Sequence, residues 1–166
     1  MNTATTDNLL PAHYERKMAG GDLAKFCQRL PRPLVFTNGC FDILHRGHID
    51  YLDQARQLGE SLIVAVNSDA SVKRQNKGED RPINPLEDRM ALLASLESVD
   101  AVVVFDDDTP LAVITEIKPD ILVKGGDWAV EQIVGADLVV ANGGQVVSMA
   151  FRYQRSTTSL LERIRS

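Results

Sequence analysis

The chain has 166 residues, 44% of them hydrophobic and 5% aromatic, with a formal net charge of -5 at pH 7. That length suits one domain with a sizeable core, and the ordinary apolar fraction excludes fibrous, collagenous and disordered classes. The negative balance excludes the global positive field that gathers nucleic acid, so an anionic ligand must be met by a local cluster and no nucleic-acid partner is expected.

Residues 1–19 are polar and aperiodic and are expected to form a flexible leader to a domain over 20–166. Leu23, Phe26, Cys27 and Leu30 then recur at the spacing of a short amphipathic helix, which Pro31 and Pro33 stop. PLVFTNG (33–39) predicts a buried strand, and Ile49, Leu52, Ala55 and Leu58 fall at helical spacing up to Gly59. SLIVAVNSD (61–69) predicts a second strand, and SVKRQNKGEDRPINP (71–85) a long charged loop. The segment 85–99 starts with Pro85 and carries acids early, which favours a helix N-terminus. A strand at AVVVF (101–105), a helix over 109–119, a strand over 120–127 and a short helix around 135–141 follow. The last strand falls in GQVVSMAF (144–151), and Ser156 caps a closing helix.

Strands thus alternate with helices at least four times, and they are almost continuously apolar. The expected fold class is α/β, a Rossmann-like three-layer α/β/α arrangement with a mostly parallel central sheet. Two cysteines, Cys27 and Cys40, suit a reducing compartment better than a disulfide framework. With no run of 18 apolar residues, a cytoplasmic protein without a membrane partner is expected.

In open α/β sheets, ligands bind outside the carboxyl ends of the strands. Polar residues cluster at those ends: 37–42, 67–69, 124–127 and the Ser-Thr-Thr after the last strand. The richest stretch is TNGCFDILHRGH (37–48). Asn-Gly would suit a hairpin, but the second arm, from Ile49, has helical periodicity. His45, His48 and Cys40 suggest zinc, yet a structural site wants four ligands and the remaining histidine, His13, sits in the leader. Histidines that merely shape the turn are a further possibility. His-x-Gly-His entering a helix points instead to an anion-binding corner, because the helix terminus offers free N–H groups and Gly47 allows close approach.

TNGCFDILHRGH, with NSD after the next strand, LVKGGDW after a later one and RSTTSLLERI at the end, resembles the cytidylyltransferase-like superfamily of nucleotidyltransferases. RPINPLEDR and IVGAD narrow the resemblance to the adenylyltransferase branch that acts on heptose 1-phosphates. It covers residues 22–164. The resemblance implies transfer of AMP from ATP, bound with Mg²⁺, to a sugar 1-phosphate, with no enzyme nucleophile. His45, His48 and Lys124 would stabilise charge on the phosphates. Nucleotide contacts would come from Thr37, Asn38, Gly39, Cys40, Phe41, Gly47, Asn67, Asp69, Arg89, Gly125, Asp127, Ser156, Thr157 and Thr158. Acceptor contacts would come from Asp42, Arg74, Lys77 and Trp128. Asp42 either holds the sugar or orients a neighbour, and Trp128 either lines the pocket or packs in the core. Lys73, Arg74, Lys77 and Arg81 would arm a lid, joined by Arg89 unless that residue pairs with acids in solvent. A separate sugar kinase and a homodimer are the implied partners. A polyol phosphate cytidylyltransferase and a non-catalytic nucleotide-binding module are the alternatives. Tyr153-Gln154-Arg155 departs from the family pattern, which places a glycine shortly before Ser-Thr-Thr.

Overall fold

The computed structural model describes residues 12–75, 80–153 and 157–165. Its centre is β1 (Leu34–Gly39), whose consecutive apolar residues serve two layers at once. Leu34 and Phe36 enter one core, with α2 (Leu23–Cys27), α6 (Leu111–Ile117) and α7 (Ala136–Ala141). Val35 enters the other, with α3 (Arg46–Arg56) and α5 (Leu86–Ser95). A strand covered on both faces has no polar face to alternate with, so the runs read as unbroken apolar segments.

β2 (Ser61–Asn67) and β3 (Ala101–Phe105) lie on one side of β1, and β4 (Ile121–Gly125) and β5 (Gln145–Met149) on the other. The sheet is parallel throughout, in the order β3-β2-β1-β4-β5. The chain therefore winds outward from β1 and then returns to start again at β4. Between β1 and β4 the order reverses, which is where such sheets open a crevice. The register sharpens this: β1 and β4 pair at Val35–Ile121 and Phe36–Leu122, although both strands run three residues further.

Two expectations need correction. The charged segment 71–85 is not loop throughout, because α4 (Asp69–Arg74) occupies its start. Ser68 accepts from the Ser71 N–H at 3.0 Å and Asp69 sits in the first turn, so capping wins over charge density. The helix expected over 85–99 ends at Ser95, where Leu96 turns extended and accepts from Lys17 Nζ at 2.9 Å. Ahead of α2, a short α1 (Ala12–Glu15) leads to Met18, which bridges Val102 on the β3 edge. Among the described residues no helix is long and apolar enough to cross a membrane.

Candidate active site

Where the β1–β4 ladder stops, a side chain from α3 takes over. The Tyr51 hydroxyl lies 2.6 Å from Thr37 Oγ1 and donates to the Val123 carbonyl at 3.4 Å. Thr37 and Val123 are the positions that would pair next if the register continued. Tyr51 thus bridges the gap and forms the floor of a pocket whose walls are Asn38 to Phe41 on one strand exit and Lys124 and Gly125 on the other. Burial pushes the Tyr51 phenol up to about 12, so it stays a neutral hydroxyl. Phe151, which follows β5, closes the pocket with its ring centre 5.4 Å from that of Tyr51. A β-carbon at Gly125 would stand 2.6 Å from Phe151, so the close approach requires glycine.

The pocket opens onto the start of α3. His45 is its N-cap residue, extended in backbone and with no capping bond from its side chain, and His48 is in the first turn. Their rings stack with centres 3.9 Å apart and planes 19° apart. Burial first, and the neighbouring His45 second, push the His48 imidazole down to about 4, against a weaker pull from the Ile43 backbone. His48 is therefore neutral near pH 7 and can give a ring N–H to an anion. Gly47 is buried between these histidines, and a β-carbon there would meet the His45 ring at 3.1 Å and the Tyr153 carbonyl at 3.3 Å.

Behind the wall at Cys40 and Phe41 lies a polar junction. Arg89 is fully buried and donates to the Cys40 carbonyl at 2.7 Å, the Asn84 carbonyl at 3.1 Å and Asp69 Oδ1 at 2.7 Å. It neither joins a lid nor pairs with acids in solvent, because its acceptors, two loop carbonyls and the first residue of α4, hold it in the interior. Asp42, 1% exposed, accepts from Arg81 and from the Ile83 and Asn84 N–H groups at 2.8 and 2.9 Å. Of its two expected roles, the geometry matches orienting a neighbour. Asn67 donates to Ser71 and is 3.8 Å from the Cys40 sulfur.

Several expected contacts fall elsewhere. Thr37 is fully buried against Tyr51, so it builds the floor and does not face the pocket. Arg74 is on α4, where its guanidinium engages Asp106 and Asp108; the neighbouring acids hold its pKa up. With Arg81 buried against Asp42, two of the four supposed lid cations have structural partners. Trp128 is 46% exposed and donates to the Gly125 carbonyl at 3.0 Å, so it is not core packing, and Asp127 is exposed beside it. Thr157 and Thr158 open α8 (Thr157–Arg165), whereas Lys77 and Ser156 lie outside the described residues.

Tyr51 and Phe151 belong to the site although no motif in the sequence marks them. The helical stripe of the sequence includes Ile49 and Leu58, which are 42% and 38% exposed, while the buried set on α3 is Gly47, Tyr51, Leu52 and Ala55. Tyr51 was detectable as the residue one turn beyond both Gly47 and His48. Taken together, the crevice offers imidazoles, an ammonium and a helix N-terminus, the equipment for holding an anion. Among the described residues no three His, Cys, Asp or Glu side chains group as a metal site.

Comparison with known proteins agrees with this geometry. Residues 36–163 match the cytidylyltransferase-like family model. The chain is 58% identical over 137 residues to the D-beta-D-heptose 1-phosphate adenylyltransferase of Bordetella bronchiseptica, covering 82% of this chain and 85% of that one. It is 59% identical over 132 residues to the bifunctional protein HldE of Hahella chejuensis, where it spans only 28% of the relative's length. Among solved structures, the lipopolysaccharide core biosynthesis protein of Thermoplasma volcanium superposes with a TM-score of 0.58 at 32% identity, over 74% of this chain and 98% of the other. A family match over most of the chain, joined to a crevice at the strand-order reversal, shows that the chain belongs to the cytidylyltransferase-like family of nucleotidyltransferases.

Proposed function

We propose that the chain transfers AMP from ATP to D-glycero-β-D-manno-heptose 1-phosphate, releasing pyrophosphate and forming an ADP-heptose for lipopolysaccharide assembly. The observation that carries this reading is the stacked His45–His48 pair at the start of α3, beside a pocket walled by Lys124. The heptose substrate is supported by the 58% identity to the Bordetella relative of that name.

An oxygen of the sugar 1-phosphate attacks the α-phosphorus of ATP, opposite the oxygen that bridges to the β-phosphorus. The bond to that bridging oxygen breaks, and pyrophosphate leaves with the charge. The phosphate supplies the nucleophile, so the protein contributes position and electrostatics. His45, His48 and Lys124 donate to the phosphate oxygens that gain charge. Backbone N–H groups at 39–41 hold the α-phosphate, and Ser156, together with Thr157 and Thr158 at the start of α8, receives the outer phosphates. Asn38, Gly125 and Asp127 border the nucleotide, and Lys77 and Trp128 approach the acceptor. Mg²⁺ enters as part of the substrate, on phosphate oxygens and water, because imidazole, ammonium and N–H donors suit the phosphates more than the metal.

Residues 20–166 act as the transferase unit in the cytosol, as a homodimer, and a separate kinase supplies the sugar 1-phosphate. The test is incubation with MgATP or MgCTP and a panel of sugar 1-phosphates and polyol phosphates while pyrophosphate is measured. Release with ATP and the heptose 1-phosphate supports the reading. Release with CTP and a polyol phosphate, or none with any pair, overturns it.

A further inference from the structure

We propose that Arg89 is a positioning residue that holds the Cys40–Phe41 peptide with its N–H turned to the anion pocket; this rests on the nucleotidyltransferase reading above. The buried guanidinium bonds the Cys40 carbonyl at 2.7 Å. In a planar trans peptide the N–H points opposite to the carbonyl. The Phe41 N–H therefore points away from Arg89, towards the side on which Cys40 and Phe41 line the pocket.

This peptide has a reason to turn over. Phe41 has a φ of 47°, a left-handed conformation that a residue with a bulky side chain rarely adopts. Rotating the Cys40–Phe41 peptide would return φ to negative values and relieve that strain. It would also point a carbonyl oxygen at the phosphates, replacing attraction by repulsion. Arg89 opposes the rotation by holding the oxygen, and its fork is held in turn by Asp69 Oδ1 and the Asn84 carbonyl. The Phe41 ring, kept in place by the same conformation, stands edge-on to His48 with centres 5.4 Å apart. A lysine keeps the charge but lacks the fork to reach three acceptors.

The experiment compares the wild type with Arg89→Lys, Arg89→Met and Asp69→Asn. Binding of inorganic tripolyphosphate with Mg²⁺ and of adenosine is measured by calorimetry, and the Phe41 amide is followed by NMR. In the folded Arg89 variants, tripolyphosphate affinity is expected to fall at least tenfold while adenosine affinity stays within twofold. The wild-type Phe41 amide shifts on adding tripolyphosphate, and the variants' does not. A folded Arg89→Lys that keeps tripolyphosphate affinity within twofold, or loses both probes alike, overturns the proposal. Asp69 is 40% exposed, so Asp69→Asn serves if the Arg89 variants do not fold. A weaker loss in the same direction supports the proposal, and unchanged tripolyphosphate affinity overturns it. Wild-type pyrophosphate release is scored separately; its failure strikes the proposed function, while the tripolyphosphate comparison still judges Arg89.

Discussion

The Tyr51 hydroxyl meets Thr37 Oγ1 at 2.6 Å, at the point where backbone pairing between β1 and β4 gives out. A side chain from a helix thereby replaces a rung of the ladder, and the strand ends are free to part and make the pocket. Both groups are buried, and losing the Tyr51 hydroxyl takes a partner from Thr37 Oγ1 and from the Val123 carbonyl. Tyr51→Phe is expected to destabilise the protein by about 1–2 kcal/mol in urea unfolding. The double variant with Thr37→Val should recover part of that loss, giving a coupling above about 0.5 kcal/mol. An additive pair would show that the hydroxyl bridge contributes nothing.

Asp42 and Arg81 form a buried pair whose side chains are 0% and 9% exposed. Asp42→Ala strands the guanidinium and two backbone N–H groups, at Ile83 and Asn84, that now share one carboxylate oxygen. Breaking a buried pair on one side costs about 3–5 kcal/mol. Chemical denaturation should register that loss. A change below about 1 kcal/mol would mean that the loop at 81–84 finds other partners.

The layers and the edge that holds the site were legible because their signals are local. Unbroken apolar runs separated by helical periodicity state a covered parallel sheet, and His45-x-Gly47-His48 at a strand-to-helix exit states an anion corner. The polar junction was not legible, since Arg89 bonds partners 49, 20 and 5 residues away and no short window contains them. A cation in a sequence looks solvated until its long-range acceptors are known, which is why Arg74 and Arg81 read as lid charges and Arg89 as a lid charge or a partner of acids in solvent. Tyr51 was hidden for a different reason. One apolar stripe on α3 accounted for the helix, and the side chain with the structural role stood beside that stripe.

Gly47 offers a test of the histidine corner that spares the core. Alanine at this helical position would by itself favour the helix by about 0.5–1 kcal/mol. Its β-carbon, however, would press on the His45 ring at 3.1 Å. Gly47→Ala is expected to keep or slightly change the melting temperature while turnover drops at least tenfold, since displaced charge-stabilising donors typically cost about 10² to 10³. Wild-type turnover in this variant would mean that the position of the His45 ring does not matter to the reaction.

The burial of His48, with His45 stacked on it, gives the site a definite response to pH. The unfolded chain takes up the His48 proton near 6.5, and the folded protein only near 4, chiefly through burial and secondly through His45. Between those values the unfolded state holds more protons, so stability is full above 6.5 and declines as pH falls towards 4. The whole decline is on the order of 3 kcal/mol from this group, and His48→Gln should remove that part of the slope. Phosphate charge beside the ring favours the protonated form and opposes the shift, so binding of tripolyphosphate at pH 5–6 should draw a proton from solution. NMR titration of the His48 ring checks both halves: a midpoint near 4 in the free protein, moving upward when tripolyphosphate is added. A free-protein midpoint between 6 and 7 would remove the physical basis for a neutral, donating imidazole held in reserve at the mouth of α3.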